Sequence, residues 1–197
     1  YAPHLPLQAP KEREEACREK YKAGYDVLRK QRFERIRRNG LIDIEGELPV
    51  FEKEFGGKRP AWNSLTPQQQ ERWITEMATY AAMIEIMDDG IGEVIKATKE
   101  KGIFDNTIFL FLSDNGATNE GDMITQLRAD LSNTPFRSYK QWCFQGGTSA
   151  PLIIMYGGGQ PDGKKGAVRH EFTHIIDLFP TCLDMASIES VSYTHLR

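Results

Sequence analysis

The 197-residue chain has few of the features that mark several classes of protein. No apolar run approaches the 18 or so residues that cross a bilayer, so we expect no membrane-spanning helix in this stretch. Its three cysteines lie far apart and form no C-x-x-C pair, which supports neither a disulfide framework nor a cysteine zinc site. These cysteines are Cys17, Cys143 and Cys182. They do not indicate a cellular compartment.

The chain also begins without an initiator methionine, a basic leader or an apolar leader core, so we expect that processing or truncation removed its original N-terminus. The remaining composition, with 40% hydrophobic residues, 27% charged residues and a net charge of −3, is typical of one globular domain or a piece of a larger one.

Basic residues are concentrated in residues 11–38, which contain 11 Lys or Arg against 6 Asp or Glu. A nucleic-acid-binding patch is one interpretation of this segment. We favour paired surface helices and expect no nucleic-acid partner, because acids are interleaved and Tyr25, Phe33 and Ile36 supply an apolar side. Asn39-Gly40 is a typical helix end, and residues 41–63 lack steady periodicity and predict an irregular excursion.

The strongest local signal is Thr66-Pro67-Gln68-Gln69, a capping-box arrangement that predicts a helix starting at Pro67 and ending near Gly102. Apolar or small residues then recur in steps of four and three, which predicts one core-facing stripe for about nine turns. The stripe consists of Trp73, Met77, Tyr80, Ile84, Met87, Ile91, Val94 and Thr98.

Two short runs, residues 107–112 and 152–156, are apolar at consecutive positions and predict strands buried on both faces. A further helix is expected near residues 175–185. The alternation of helices and strands predicts an α/β fold with a mixed, mostly parallel sheet sandwiched by helices.

Three places could carry chemistry. Asp114 and Asn115 follow the first predicted strand and offer hard oxygen ligands for a divalent cation, although an Asx turn is the simpler interpretation. Lys140 could bind an anion, or it could be a solvated surface lysine. His4 lies among closely spaced prolines and could act as a general acid, or it could be structural.

Together these segments resemble the sulfatase family of the alkaline-phosphatase-like superfamily, over nearly the whole chain. The supporting segments are Ala2-Pro3-His4-x-Pro6-Leu7-Gln8-Ala9-Pro10, Met87-Asp88-Asp89-Gly90-Ile91-Gly92, Asp105-Asn106-Thr107 through Ser113-Asp114-Asn115-Gly116, Asn133-x-Pro135-Phe136-Arg137-x-Tyr139-Lys140, Gly146-Gly147-Thr148-x-x-Pro151 and Asp177-x-x-Pro180-Thr181. Gln145 and Ser149 depart from the acidic and basic residues that many relatives carry there.

The resemblance implies a function and a role for each candidate residue. It implies an alkaline-phosphatase-like fold and a metal-dependent hydrolase of aryl or glycan sulfate esters. Asp114 and Asn115 would ligate a divalent cation, usually calcium in this family. Lys140 would contact a sulfate oxygen, and His4 would bind the bridging oxygen and protonate the departing alcohol. The family nucleophile is a formylglycine made from a Cys or Ser in a Cys/Ser-x-Pro/Ala-x-Arg motif, and none of the three cysteines fits that motif.

We therefore interpret residues 1–186 as the C-terminal portion of a sulfatase catalytic domain, inactive alone, and residues 187–197 as a tail that leaves the family pattern. Hydrolysis of phosphomonoesters, phosphodiesters or phosphonate monoesters is the alternative within the superfamily, and a non-catalytic binding fragment is the alternative from another class. A periplasmic or secreted location is favoured over a cytoplasmic one, and the sequence does not indicate an oligomeric state.

Overall fold

The computed structural model of the chain describes residues 3–50, 53–54, 57–159 and 165–188. The chain forms two compact units, Tyr1–Gly166 and Ala167–Arg197. The helices of the described part are α1 (Lys11–Arg18), α2 (Tyr25–Arg38), α3 (Pro67–Glu100), α4 (Met123–Asn133), α5 (Gln145–Thr148) and α6 (Leu178–Met185). The strands are β1 (Lys53–Glu54), β2 (Gly57–Lys58), β3 (Ile108–Leu112) and β4 (Leu152–Tyr156). None of these helices is both long and apolar enough to cross a bilayer.

The predicted start of the long helix is confirmed. The Thr66 hydroxyl accepts a hydrogen bond from the Gln69 amide at 3.3 Å, and the Gln69 side chain accepts one from the Thr66 amide at 2.8 Å. These bonds satisfy two amides that the first turn of a helix leaves without intrahelical partners. At the other end Gly102 has a φ of 68°, the left-handed conformation typical of a helix end.

The core lies where the first half of α3 meets the neighbouring helices. Trp73 is fully buried, and the rings of Tyr21, Tyr25 and Trp62 contact it edge-on. Side chains of α4 complete this core, namely Ile124, Leu127 and Leu131. The core therefore fixes α4, which carries two polar loops at its ends.

The basic segment forms two surface helices, as predicted, but they are not a mutual pair: α1 packs on α3 and α2 on α4. α1 and α2 bury Cys17, Tyr25, Phe33 and Ile36. Arg13 pairs with Asp89 of α3 at 2.6 Å, and the neighbouring Lys20 pairs with Glu85 at 2.6 Å. Part of the positive charge of this segment is thus matched by acids of α3.

The predicted core-facing stripe is wrong for the second half of α3. The buried residues of the helix end at Met83, and Val94 is 57% exposed. Beyond Met83 the apolar face of the helix, with Met87, Ile91 and Val94, lines a groove of about 650 Å³ against β3. Periodicity identifies an apolar face, but it does not show that a partner covers that face.

The expected mostly parallel sheet is not confirmed by the described residues. β3 and β4 pair antiparallel, with Ile108 opposite Tyr156 and Leu112 opposite Leu152. The strands are not buried on both faces, since Phe111 is 37% and Ile153 58% exposed. An apolar run predicts a strand, whereas pairing direction and burial depend on chain segments far away in sequence.

Candidate active site

The loop after β3 carries the two candidate metal ligands. Asp114 is exposed and Asn115 half-buried. Within the described residues neither side chain makes a hydrogen bond or ion pair. The loop is held by a side-chain bond of its first residue, because the Ser113 hydroxyl donates to the carbonyl oxygen of Asn115 at 2.8 Å. The ligand oxygens are therefore free to bind a cation.

These two residues fit a divalent cation in chemistry but supply only part of a ligand set. A carboxylate and an amide oxygen are the hard ligands that calcium and magnesium prefer. In the part of the chain that the structure describes, no cluster of three or more His, Cys, Asp or Glu could hold a metal ion.

Lys140 lies against the same loop. Its backbone amide donates to the carbonyl oxygen of Ala117 at 3.1 Å, and its ammonium group donates to Glu120 at 3.0 Å. The Lys140 side chain is 24% exposed, so its charge is shielded from water more than that of a typical surface lysine. The structure thus brings Lys140 to the loop that follows the strand.

His4 lies on the N-terminal segment, and within the described residues no hydrogen bond or ion pair joins it to Lys140 or to the loop after β3. The hydrogen bond from Lys140 is the main cause that lowers the pKa of Glu120 below its ordinary value, and the charges of Lys140 and His4 contribute. His4 is exposed, and its Nδ1 donates to the carbonyl oxygen of Leu5 at 3.1 Å. That bond leaves Nε2 as the nitrogen available to a ligand.

A third segment, the glycine pair Gly146-Gly147 of α5, contacts the loop after β3 through its backbone. The amide of Gly116 donates to the carbonyl oxygen of Gly147 at 3.1 Å. A Cβ on Gly116 would overlap the Gly146 carbonyl oxygen, and one on Gly147 would overlap that of Trp142. The backbone of α5 is therefore in direct contact with the loop of Gly116 and with the segment of Trp142. Only glycine permits such a close approach at these positions.

Two functional candidates were missed by the sequence reasoning. Glu120 pairs with Lys140 although 20 residues separate them in sequence, so no local pattern indicates the contact. Asn133 forms part of the motif quoted above, but its role depends on contacts with two loops and with α5. Its position two residues before Pro135, at a helix end, was the available signal.

Comparisons with known proteins identify a family for the chain. A family model described as Sulfatase matches residues 1–188. An uncharacterized sulfatase of Schizosaccharomyces pombe is 33% identical, over 95% of this chain and 38% of its own length. An arylsulfatase of Klebsiella aerogenes is 31% identical, over 95% of this chain and 45% of its own length. The human N-acetylgalactosamine-6-sulfatase is 32% identical, over 58% of this chain and 20% of its own length. The chain thus spans less than half the length of these relatives.

Proposed function

The chain belongs to the sulfatase family, and we propose on that basis that the complete protein hydrolyses sulfate esters of the arylsulfatase type. The observation that carries this proposal is the position of Lys140. Its backbone amide bonds to Ala117, two residues after Asn115, and its ammonium group donates to Glu120 at 3.0 Å. The Lys140 ammonium group, the His4 imidazole and the two oxygen ligands are groups that bind a sulfate ester and assist its cleavage by a nucleophile.

In the proposed mechanism Lys140 and His4 divide the work. The Lys140 ammonium group binds a sulfate oxygen and offsets the negative charge of the transferring group. His4 holds a proton on Nε2 and delivers it to the bridging oxygen as the alcohol departs. The bond from its Nδ1 to the carbonyl oxygen of Leu5 holds the orientation of the ring during the proton transfer.

Asp114 and Asn115 would hold the divalent cation, for which calcium is our proposal. When bound, such a cation polarises a sulfate oxygen and offsets charge. The two free oxygen ligands support this assignment by their chemistry and by their place beside Lys140. The other ligands of the cation would come from residues other than Asp114 and Asn115.

We place the nucleophile outside this chain. The family resemblance implies a formylglycine, and Cys17, Cys143 and Cys182 lie in none of the required motifs. This chain would therefore be a fragment of the catalytic domain that cannot turn over sulfate esters alone. The substrate class follows from the arylsulfatase relative and extends to glycan sulfates.

The experiment that tests the proposal compares two lysine variants of the complete protein. Lys140→Ala removes the sulfate contact, and we expect kcat for an aryl sulfate to fall about 10²–10³-fold, the cost of losing one charge-stabilising donor. Lys96→Ala is the matched control, because Lys96 is an exposed lysine of α3. Equal activity of the two variants would contradict the proposed role of Lys140.

A further inference from the structure

Asn133 is the last residue of α4, and its backbone position is fixed from within the core. Leu127 and Leu131 of the same helix pack in the cluster that contains Trp73. At the start of the helix, the Asp122 carboxylate accepts hydrogen bonds from the amides of Ile124 at 3.0 Å and Thr125 at 3.3 Å. The Asn133 side chain therefore extends from a rigid element.

The amide group of Asn133 bonds to the backbone of two loops and of helix α5. Its Oδ1 accepts from the backbone amide of Ala117 at 2.9 Å. Its Nδ2 donates to the carbonyl oxygen of Ser138 at 2.8 Å and to that of Gly146 at 2.7 Å. All three distances lie within the range of good hydrogen bonds.

These bonds fall close to the proposed site residues. Ala117 lies two residues after Asn115, and Ser138 lies two residues before Lys140. The main chains of the two loops also meet directly, because the Lys140 amide donates to the carbonyl oxygen of Ala117 at 3.1 Å. A group that holds Ala117 and Ser138 together therefore also sets the distance from the Asp114–Asn115 loop to Lys140.

The chemistry of the contact selects asparagine. The site needs one acceptor for an amide and two donors for carbonyl oxygens, on a side chain short enough to fit between backbones. An asparagine amide provides both, whereas an ionised aspartate only accepts and alanine does neither. Because the loops approach too closely for a Cβ on Gly116 or Gly146, side chains of those residues cannot take over the task.

We propose that Asn133 is a positioning residue that fixes the loop of Asp114 and Asn115 relative to Lys140. The inference rests on the proposed function, since it assigns Asn133 a role toward the sulfate site. It goes beyond the site residues themselves, because Asn133 would act through the geometry of Lys140 without touching the substrate.

The first test needs no activity and uses this chain. We expect Asn133→Ala to increase the exchange rates of the backbone amides of Ala117 and Lys140 at least about tenfold, while amides in α3 keep their protection. Asn39→Ala is the matched control, since Asn39 is an exposed residue at the end of α2. A Lys140 amide that exchanges at the wild-type rate in Asn133→Ala would overturn the proposal.

A second variant guards against loss of folding. Asn133→Asp keeps the shape of the side chain and the oxygen that accepts from Ala117, but it places an oxygen against the two carbonyl groups. We expect the Lys140 amide to exchange faster in this variant, with the Ala117 amide less affected. If the Lys140 amide stays fully protected in Asn133→Asp, Asn133 does not hold that loop.

The second test is a double-mutant cycle in the complete protein. We expect Asn133→Ala to lower kcat/KM about 10²-fold, the effect of misplacing a reacting group by about 1 Å. Lys140→Ala should then cost much less in the Asn133→Ala background than in wild type, because Lys140 is already displaced. A purely destabilising role would leave the full cost of Lys140→Ala and would refute the positioning role. If the exchange test succeeds and the complete protein has no sulfatase activity, the proposed function alone fails.

Discussion

Asp114 places an exposed carboxylate directly after β3, with no partner among the described residues. A carboxylate in this position is available to a cation, and removing its charge weakens any site it helps to form. For Asp114→Asn in the complete protein we expect the calcium affinity to fall by at least about tenfold, the lower limit found when a metal site loses even an outer partner. Titration calorimetry measures the calcium affinity of wild type and of the variant.

Asp88→Asn is the matched control for this measurement, because Asp88 is an exposed aspartate of α3 outside the site. We expect its calcium affinity to equal that of wild type. An unchanged affinity in Asp114→Asn as well would remove Asp114 from the metal site.

Asp130 is a buried carboxylate that contacts Tyr139, the residue before Lys140. Burial raises its pKa to about 6, although Arg59 lies 2.8 Å away and Tyr139 donates a hydrogen bond to it at 2.7 Å. A raised folded-state pKa means that the folded state binds the proton more tightly than the unfolded state does. The stabilisation is therefore full below the ordinary pKa of 3.8 and is lost as the pH rises through about 6.

Asp130→Asn tests this sign. We expect the free energy of unfolding of wild type, minus that of Asp130→Asn, to decrease by up to roughly 3 kcal/mol between about pH 4 and pH 6.5, as the size of the pKa shift implies. Urea unfolding of both proteins at several pH values measures the difference. A difference that increases with pH would mean that the pairing with Arg59 outweighs burial.

At the scale of elements, α4 connects the core to the site, and its start depends on Asp122. The carboxylate caps the first turn and also pairs with Arg72. We expect Asp122→Ala to lower the free energy of unfolding by about 1–2 kcal/mol, the usual cost of an N-cap residue. Urea unfolding of this chain measures the loss, and Asp88→Ala, at an uncapped exposed site, should lose much less. Equal losses in the two variants would contradict the capping role.

The elements differ in how well the sequence predicts them. Thr66, Gln69 and Gly102 act on their own neighbours, so the limits of α3 could be predicted. α4 was missed because charged Arg128 and Asp130 interrupt its apolar pattern. Both are buried, and each has a partner of opposite charge that offsets the cost of burial. Arg128 lies 3.8 Å from Glu76, and Asp130 pairs with Arg59. Such pairing partners lie far away in sequence, so the pattern cannot reveal them.

The candidate site shows the same division. The types of Asp114, Asn115, His4 and Lys140 indicated cation and anion chemistry, and the family resemblance gave them roles. The contact of Lys140 with the loop after β3 and the three bonds of Asn133 depend on how separate loops pack. Those contacts became visible only in the folded chain.

At the scale of the whole molecule, burial is concentrated where α3 meets α1, α2 and α4, and β3 and β4 contribute less. Leu127 is 1% exposed, whereas Ile153 is 58% exposed. We expect Leu127→Ala to lower the free energy of unfolding by about 2–5 kcal/mol, since it leaves a cavity in a packed core. Ile153→Ala should cost about 1 kcal/mol or less.

Urea unfolding of this chain measures both losses. If Ile153→Ala destabilises the chain as much as Leu127→Ala, the strands carry more of the stability than their exposure indicates.

The most direct test of the central claim, that this chain contributes a sulfate site to the complete protein, is the substrate preference of that protein. The measurement compares kcat/KM for an aryl sulfate and an aryl phosphate that have the same leaving group. Both substrates are assayed with calcium in excess. We predict the higher kcat/KM for the sulfate. We also predict that kcat/KM falls more steeply with poorer leaving groups in His4→Ala than in wild type. A higher value for the phosphate would contradict the account.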